Sequence, residues 1–334
     1  MLLQKSTFVR ICDAHDSIAC SAAAMLACLC CWPVFAAEAP SYAAEVGYKQ
    51  NTLSASFTSS NVDIANSKRP GYTWYLWNLF NTHASPAAIG INSDGSVTLA
   101  GDTVGPGGEL MTATPAKNSA GFVGTAFGGG AYIEATFKFD PADVVRANSK
   151  TWPAFWSLAL ESTGIHPGAN QWQGQAPGYL HQIEVDFFEY LLLPYGGPQY
   201  AYSSSMHDWY GIYKSTCAPA GLCQVGFEFN ESKRVAPADT DFTRYHTYGS
   251  LWVPATSGTS GYIQFFFDGA PIGVVKKWTQ FTNQPPANLK QQPWAFGVVD
   301  QQHLVLILGT GPNEPMTVQS VNVWQASASQ NLHN

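Results

Sequence analysis

Between residues 131 and 139 the chain alternates without a slip. Ile133, Ala135, Phe137 and Phe139 occupy one parity, and Tyr132, Glu134, Thr136 and Lys138 the other. Successive side chains of a strand point to opposite faces, so this period of two predicts a half-buried strand. Glycines 128–130 supply the bend before it. Asp94-Gly95 followed by Val97 and Leu99 predicts a hairpin over 91–101, and Asp268-Gly269 within 262–275 predicts another. The apolar run 152–160 suits a strand buried on both faces, while 303–309 and 316–325 read as closing strands. Residues 140–148 suit a short helix or turn. Residues 40–70, polar and rich in Ser and Asn, read as an extended leading segment. No repeat of fixed period is visible. Many short strands joined by turn residues predict an all-β sandwich, and nothing in 40–334 resembles a linker, so one domain is expected there.

One stretch breaks the alternation. In His-Gln-Ile-Glu-Val-Asp-Phe-Phe-Glu-Tyr, residues 181–190, Ile183, Val185 and Phe187 share one parity and Glu184 and Asp186 the other. The next polar position should be 188, but that residue is Phe and the acid comes at Glu189. On strict alternation Glu189 would enter the core, at a cost of several kcal/mol. One extra residue near 187–188, a β-bulge, restores the phase and returns Glu189 to the face of Glu184 and Asp186. At ~3.3 Å per residue the outer α-carbons lie roughly 13 Å apart. Inward-leaning side chains then bring two carboxyls to about 5–6 Å, the separation used by retaining glycosidases. Crowded like charges raise a carboxyl pKa, which keeps one of them protonated near neutrality. Two other readings stay open on pattern alone: an exposed polar face of an edge strand, and a set of calcium ligands.

Composition narrows the class. The 334 residues are 46% hydrophobic and 13% aromatic but only 12% charged, with 30 Gly and 21 Pro, which favours turns and short strands over amphipathic helices. Net charge is −7 without a run of Lys or Arg, which argues against nucleic acid and suits a neutral or weakly anionic partner. Residues 1–39 read as a signal peptide: Lys5 and Arg10 precede an uncharged stretch, 17–37, with small residues offering cleavage after Ala36, Ala37 or Ala39. An uncleaved membrane anchor is the alternative. A secreted or periplasmic protein follows, and a monomer is expected. Cys12, Cys20, Cys28, Cys30 and Cys31 fall in this leader. Cys217 and Cys223 remain and read as a disulfide closing a short loop, which stabilises by about 2 kcal/mol. Their spacing is not that of a zinc or redox pair, and there is no G-x-S-x-G elbow or Walker loop.

At Glu184-Val-Asp186-Phe-Phe-Glu189 the sequence resembles glycoside hydrolase family 16, in its laminarinase-like branch with the bulged E-x-D-x-x-E signature. Segments 127–139, 152–158, 245–255, 265–273, 303–311 and 315–325 resemble that family's strands in family order, covering roughly 90–326. The resemblance implies a concanavalin A-like jelly roll of two curved antiparallel sheets with a cleft on the concave face. It implies Glu184 as nucleophile, Asp186 as its helper and Glu189 as acid/base. It places Trp156 in the cleft and His207 near the leaving-group side. It allows a structural calcium away from the cleft, with ligands that cannot be assigned, and no other cofactor. Ile183 stands where the family usually has Gly, and Phe188 where Met is more common. The 161–182 and 191–240 segments depart from the common laminarinases. Trp172, Trp209 and Tyr210 read as loop aromatics suited to stacking on sugar rings. The expected activity is endo-acting, retaining cleavage of a β-linked polysaccharide, with β-1,3-glucan leading. A non-catalytic carbohydrate-binding protein of the same fold and a transglycosylase are the alternatives.

Overall fold

The computed structural model describes residues 38–79, 83–100, 107–118, 121–146, 152–163, 179–190, 200–213, 222–229, 232–254, 261–277, 302–309 and 315–334. The expected leader up to residue 37, Trp172 and Cys217 lie outside the described residues, as do the side chains of Trp209, Tyr210 and Cys223. Glu38–Asn334 form one compact unit.

The unit is built from short strands. The first are β1 (Gln50–Ala55), β2 (Val62–Asp63), β3 (Trp74–Leu76), β4 (Ile89–Ile91), β5 (Val97–Leu99), β6 (Leu110–Met111) and β7 (Ala113–Pro115). Next come β8 (Phe122–Ala126), β9 (Ala131–Phe139), β10 (Ala154–Ala159), β11 (Tyr179–Glu189), β12 (Ala201–Tyr213), β13 (Leu222–Phe229) and β14 (Ser232–Val235). The last are β15 (His246–Val253), β16 (Tyr262–Phe267), β17 (Ala270–Lys277), β18 (Leu304–Leu308), β19 (Met316–Gln325) and β20 (Leu332–His333). Among the described residues two short α-helices interrupt them, α1 (Ser41–Glu45) and α2 (Pro141–Arg146).

One sheet runs β17-β16-β15-β9-β19-β5-β4, with β1 also on β19. The other runs β13-β12-β11-β10-β18-β6-β3-β2, with β14 also on β12. A small sheet, β20-β8-β7, completes the set. The chain passes repeatedly between the large sheets: β9 belongs to the first, β10–β14 to the second, β15–β17 to the first, β18 to the second and β19 to the first. Among the described residues, pairing is antiparallel except between β2 and β3. This is the all-β jelly-roll sandwich expected.

The facing sides of the two sheets make the core. Phe137 and Phe139 of β9 meet Phe188 of β11, with ring centroids 5.0 and 5.6 Å apart. Tyr248 of β15 stacks on Phe137 at 4.2 Å and reaches Phe188 at 4.4 Å. Each such buried ring contributes roughly 1.5–3 kcal/mol. The alternation read over 131–139 holds from residue 133 on: Ile133, Ala135, Phe137 and Phe139 are buried and Glu134, Thr136 and Lys138 are only partly so, whereas Tyr132, of the polar parity, is buried in a second apolar cluster. The β16–β17 hairpin turns at Asp268 and Gly269, both at positive φ (47° and 75°), the geometry that draws Asp-Gly to two-residue hairpins.

Two expectations need correction. The 40–70 segment is not simply extended. It carries α1, β1 and β2, because Ala43 and Tyr48 pack in a second apolar cluster with Tyr132, Leu251, Phe266 and Trp324. The segment after the acidic strand also holds regular structure, β12 to β14, so Trp209 and Tyr210 lie on a strand rather than in a loop. Among the described residues, no helix is long and apolar enough to cross a membrane.

Candidate functional site

The acidic strand is bulged. Along β10, Phe155 faces Phe188 while the next residue, Trp156, faces Asp186, so Phe187 is the extra residue. The other neighbour shows the same skip: Asp186 faces Ser205 on β12, and Glu189 faces Ser203. Phe187 and Phe188 both enter the core. Phe187 meets Phe155 at 4.7 Å. A bulge leaves a backbone group without its ladder partner. Here Ser204, fully buried between Ser203 and Ser205, donates its hydroxyl to the Phe187 carbonyl at 2.8 Å.

The phase shift sets three acids against three polar residues of β12. Glu184 faces His207, Asp186 faces Ser205 and Glu189 faces Ser203. Residues opposed in an antiparallel ladder share a face, so all six lie on the side of the sheet turned away from the core. Ser205 Oγ donates to Asp186 Oδ2 at 2.9 Å and reaches Glu189 Oε2 at 3.4 Å. His207 Nε2 stands 2.8 Å from the same Asp186 oxygen. Trp152 donates its indole N–H to Glu189 Oε1 at 3.0 Å.

Burial governs the charge of this cluster. Asp186 is 2% exposed, and burial raises its pKa against the hydrogen bonds from Ser205 and Glu189. Burial raises Glu189 too, and the Asp186 charge raises it further, opposed by Trp152, His207 and Ser205. Two carboxyls held this close release their protons in steps that belong to the pair, so one stays neutral where an isolated acid would be ionised.

Trp156 flanks the acids on β10, directly opposite Asp186. Its indole donates to the Gly309 carbonyl at 2.7 Å and lies 5.6 Å, centroid to centroid, from Trp77. Gly309 has φ 92°, and a Cβ there would stand 2.7 Å from the Gly108 carbonyl oxygen and 3.1 Å from Glu109 Cγ. Only glycine fits this close crossing.

The structure thus brings together Glu184, Asp186, Glu189, His207 and Trp156. His207 belongs beside the acids, facing Glu184. Trp209 is on β12 as well, two residues further along. Sequence reasoning missed Trp152, Ser204 and Ser205. A Ser-Ser-Ser run reads as turn chemistry, and nothing in it signals that Ser204 meets the bulge while Ser205 meets the acids. It also missed Glu109, which is 7% exposed and whose pKa burial pushes up to about 8. Two other histidines have carboxylate partners: His246 Nδ1 stands 2.7 Å from Asp268 Oδ2, and His303 Nδ1 2.5 Å from Glu161 Oε1.

Glu184, Asp186 and His207 each offer a ligand atom within 4.8 Å of the others. Calcium takes 6–8 oxygens and is poorly served by imidazole, and Asp186 Oδ2 is already engaged by Ser205 and His207. The trio does not fit a calcium site.

No family model matches the chain, and no curated protein does. Solved structures with a similar fold include the exoplasmic/lumenal domain of VIP36 in its Ca2+/Man3GlcNAc-bound form, with 8% identity over 76% of this chain and 84% of that one, TM-score 0.36. A lectin from Bauhinia forficata in complex with GalNAc is 10% identical over 83% and 100%, TM-score 0.33. The botulinum neurotoxin type G receptor-binding domain is 8% identical over 84% and 50%, TM-score 0.32.

Proposed function

We propose that the protein is an exported glycoside hydrolase that cleaves a β-linked polysaccharide by a retaining, two-step mechanism. The observation that carries this reading is the bulge at Phe187, which turns Glu189 onto the face of Glu184 and Asp186. A strand with no task for its acids has no use for that spacing. In the first step a Glu184 carboxylate oxygen bonds to the anomeric carbon as the glycosidic C–O bond breaks. Glu189, protonated because it is buried beside Asp186, gives its proton to the departing oxygen. In the second step Glu189, now ionised, takes a proton from water, whose oxygen displaces Glu184 from the sugar. Asp186, held by Ser205 and His207, keeps the shared proton on Glu189. Trp156 supplies the flat apolar face of the sugar-binding groove, and Trp172 and Trp209 are further candidates for stacking. A β-1,3-glucan is the leading substrate.

The second reading is carbohydrate binding without cleavage, with Glu184, Asp186 and His207 as polar contacts to a glycan. The pairing of Asp186 with Glu189 supports hydrolysis over this reading. Incubation with laminarin, lichenan, agarose and carrageenan separates the two. New reducing ends on one glycan, with products no longer than the substrate, support the hydrolase. Binding with no product across the panel would replace it with the lectin-like reading, and products longer than the substrate would make it a transglycosylase.

A further inference from the structure

A second site lies apart from the acidic strand. A cavity of about 360 Å3 opens between the 67–70 loop and the turn that joins β7 to β8, sharing no lining residue with the acids. Lys68, Arg69 and Lys117 line it, and no Asp or Glu does among the described residues. The whole chain has 16 Lys and Arg against 23 Asp and Glu. Three cations around one cavity, with no Asp or Glu side chain in its wall and the last residue, Asn334, beside them, run against that balance.

The loop is fixed rather than merely exposed. Asp63, 1% exposed, accepts from the backbone N–H of Ser67 at 2.9 Å and of Lys68 at 2.7 Å. Tyr75 donates its hydroxyl to the Arg69 carbonyl at 3.0 Å. Asn66 and Lys68 are both left-handed, with φ 48° and 53°. That conformation costs a non-glycine residue about 1–2 kcal/mol and persists only where the surroundings enforce it. Burial lowers the pKa of Lys68, the Lys117 charge lowers it next, and Asp63 opposes them with a smaller effect. Lys68 therefore feels more repulsion from Lys117 than attraction from Asp63, and a bound anion would relieve it.

The rest of the wall is mixed: Ser67, Asn118 and Asn334 offer polar groups, and Pro70, Ala116, Phe122 and Val123 give an apolar side. A bare inorganic ion gains nothing from that apolar side, whereas the C–H face of a sugar ring does. We propose that this cavity binds an acidic monosaccharide unit, a uronate or a sugar sulfate, with Lys68 and Lys117 holding the anionic group and the Phe122 side holding the ring. The choice of a sugar rests on the carbohydrate reading above; the choice of an anion does not.

The test is calorimetric titration of the full chain at low ionic strength, where screening is weakest. The probes are glucuronate, glucose 6-sulfate, glucose and inorganic sulfate. The two acidic sugars should bind and glucose should not. A Lys68→Gln/Lys117→Gln variant should bind them at least about tenfold more weakly, while its cleavage of neutral glucan stays at the wild-type rate. Glu184→Gln should keep acidic-sugar binding intact, so loss of hydrolysis and loss of this site are read separately. Acidic sugars binding no better than glucose, or unchanged binding in the double-lysine variant, would overturn the site. Inorganic sulfate binding as tightly as glucose 6-sulfate would overturn the sugar and leave only an ion site.

Discussion

The indole N–H of Trp152 points at Oε1 of Glu189 from 3.0 Å, two residues before β10 begins. It is a hydrogen bond from outside the sheet onto the group proposed to protonate the leaving oxygen. It orients that carboxyl and favours its ionised form, against the burial that favours the neutral one.

Replacing Trp152 with Phe should therefore raise the pKa of Glu189 further. The basic limb of the kcat/KM profile should move to higher pH, because the acid stays protonated longer. The maximal rate should fall as the carboxyl loses its orientation. A pH–rate profile on the best substrate of the glycan panel checks both. An unmoved basic limb would show that Trp152 does not act on the catalytic proton.

Glu184→Gln should lower kcat by more than about a thousandfold, the scale at which a nucleophile is lost, with the fold kept. Azide should restore turnover to Glu184→Gly by taking the nucleophile's place and giving a glycosyl azide of inverted configuration. Product analysis by NMR decides it. Undiminished activity in the Gln variant would remove the nucleophile assignment.

Ser204→Ala strips the donor from the Phe187 carbonyl in a fully buried setting. Leaving that group unpaired should cost about 1–3 kcal/mol, read as a lower urea midpoint with an unchanged slope. Ser203, on the other side of the strand and opposite Glu189, should tolerate the same change with a smaller loss of stability.

Stability should fall as pH rises. Glu109 titrates near 4.5 when exposed and at about 8 in the fold, through burial. Between those values the folded chain holds a proton that the unfolded chain has released, so folding is favoured most below the lower value and loses that support up to the higher one. Asp186 and Glu189 are raised too and act with the same sign. Urea midpoints should decline from about pH 5 to about pH 9, and Glu109→Gln should flatten the decline. A midpoint that climbs over this range would contradict the burial of these acids.

The sandwich was largely legible because its signals are local. The alternation over 131–139, the Asp-Gly turns and the apolar run before residue 160 each depend on a few neighbouring residues. The bulge was legible for a different reason: Phe188 and Glu189 break a period that the preceding residues establish. What surrounds the acids was hidden. Ser205 and His207 reach Asp186 from a strand about 20 residues away in sequence, and pairing register cannot be read from one strand alone. Glu109 and the Lys68–Lys117 cavity were hidden likewise. A lone acid before a two-residue strand, or two cations about 50 positions apart, gain meaning only when the chain closes on itself.

The skip at Phe187 is written into both edges of its strand, against Phe155 and Trp156 on one side and Ser203 and Ser205 on the other. Such a kink is keyed in place. It can migrate by one position only if two independent ladders unzip and re-form together. Drift elsewhere in the chain can change its loops without turning Glu189 off the face that carries Glu184 and Asp186.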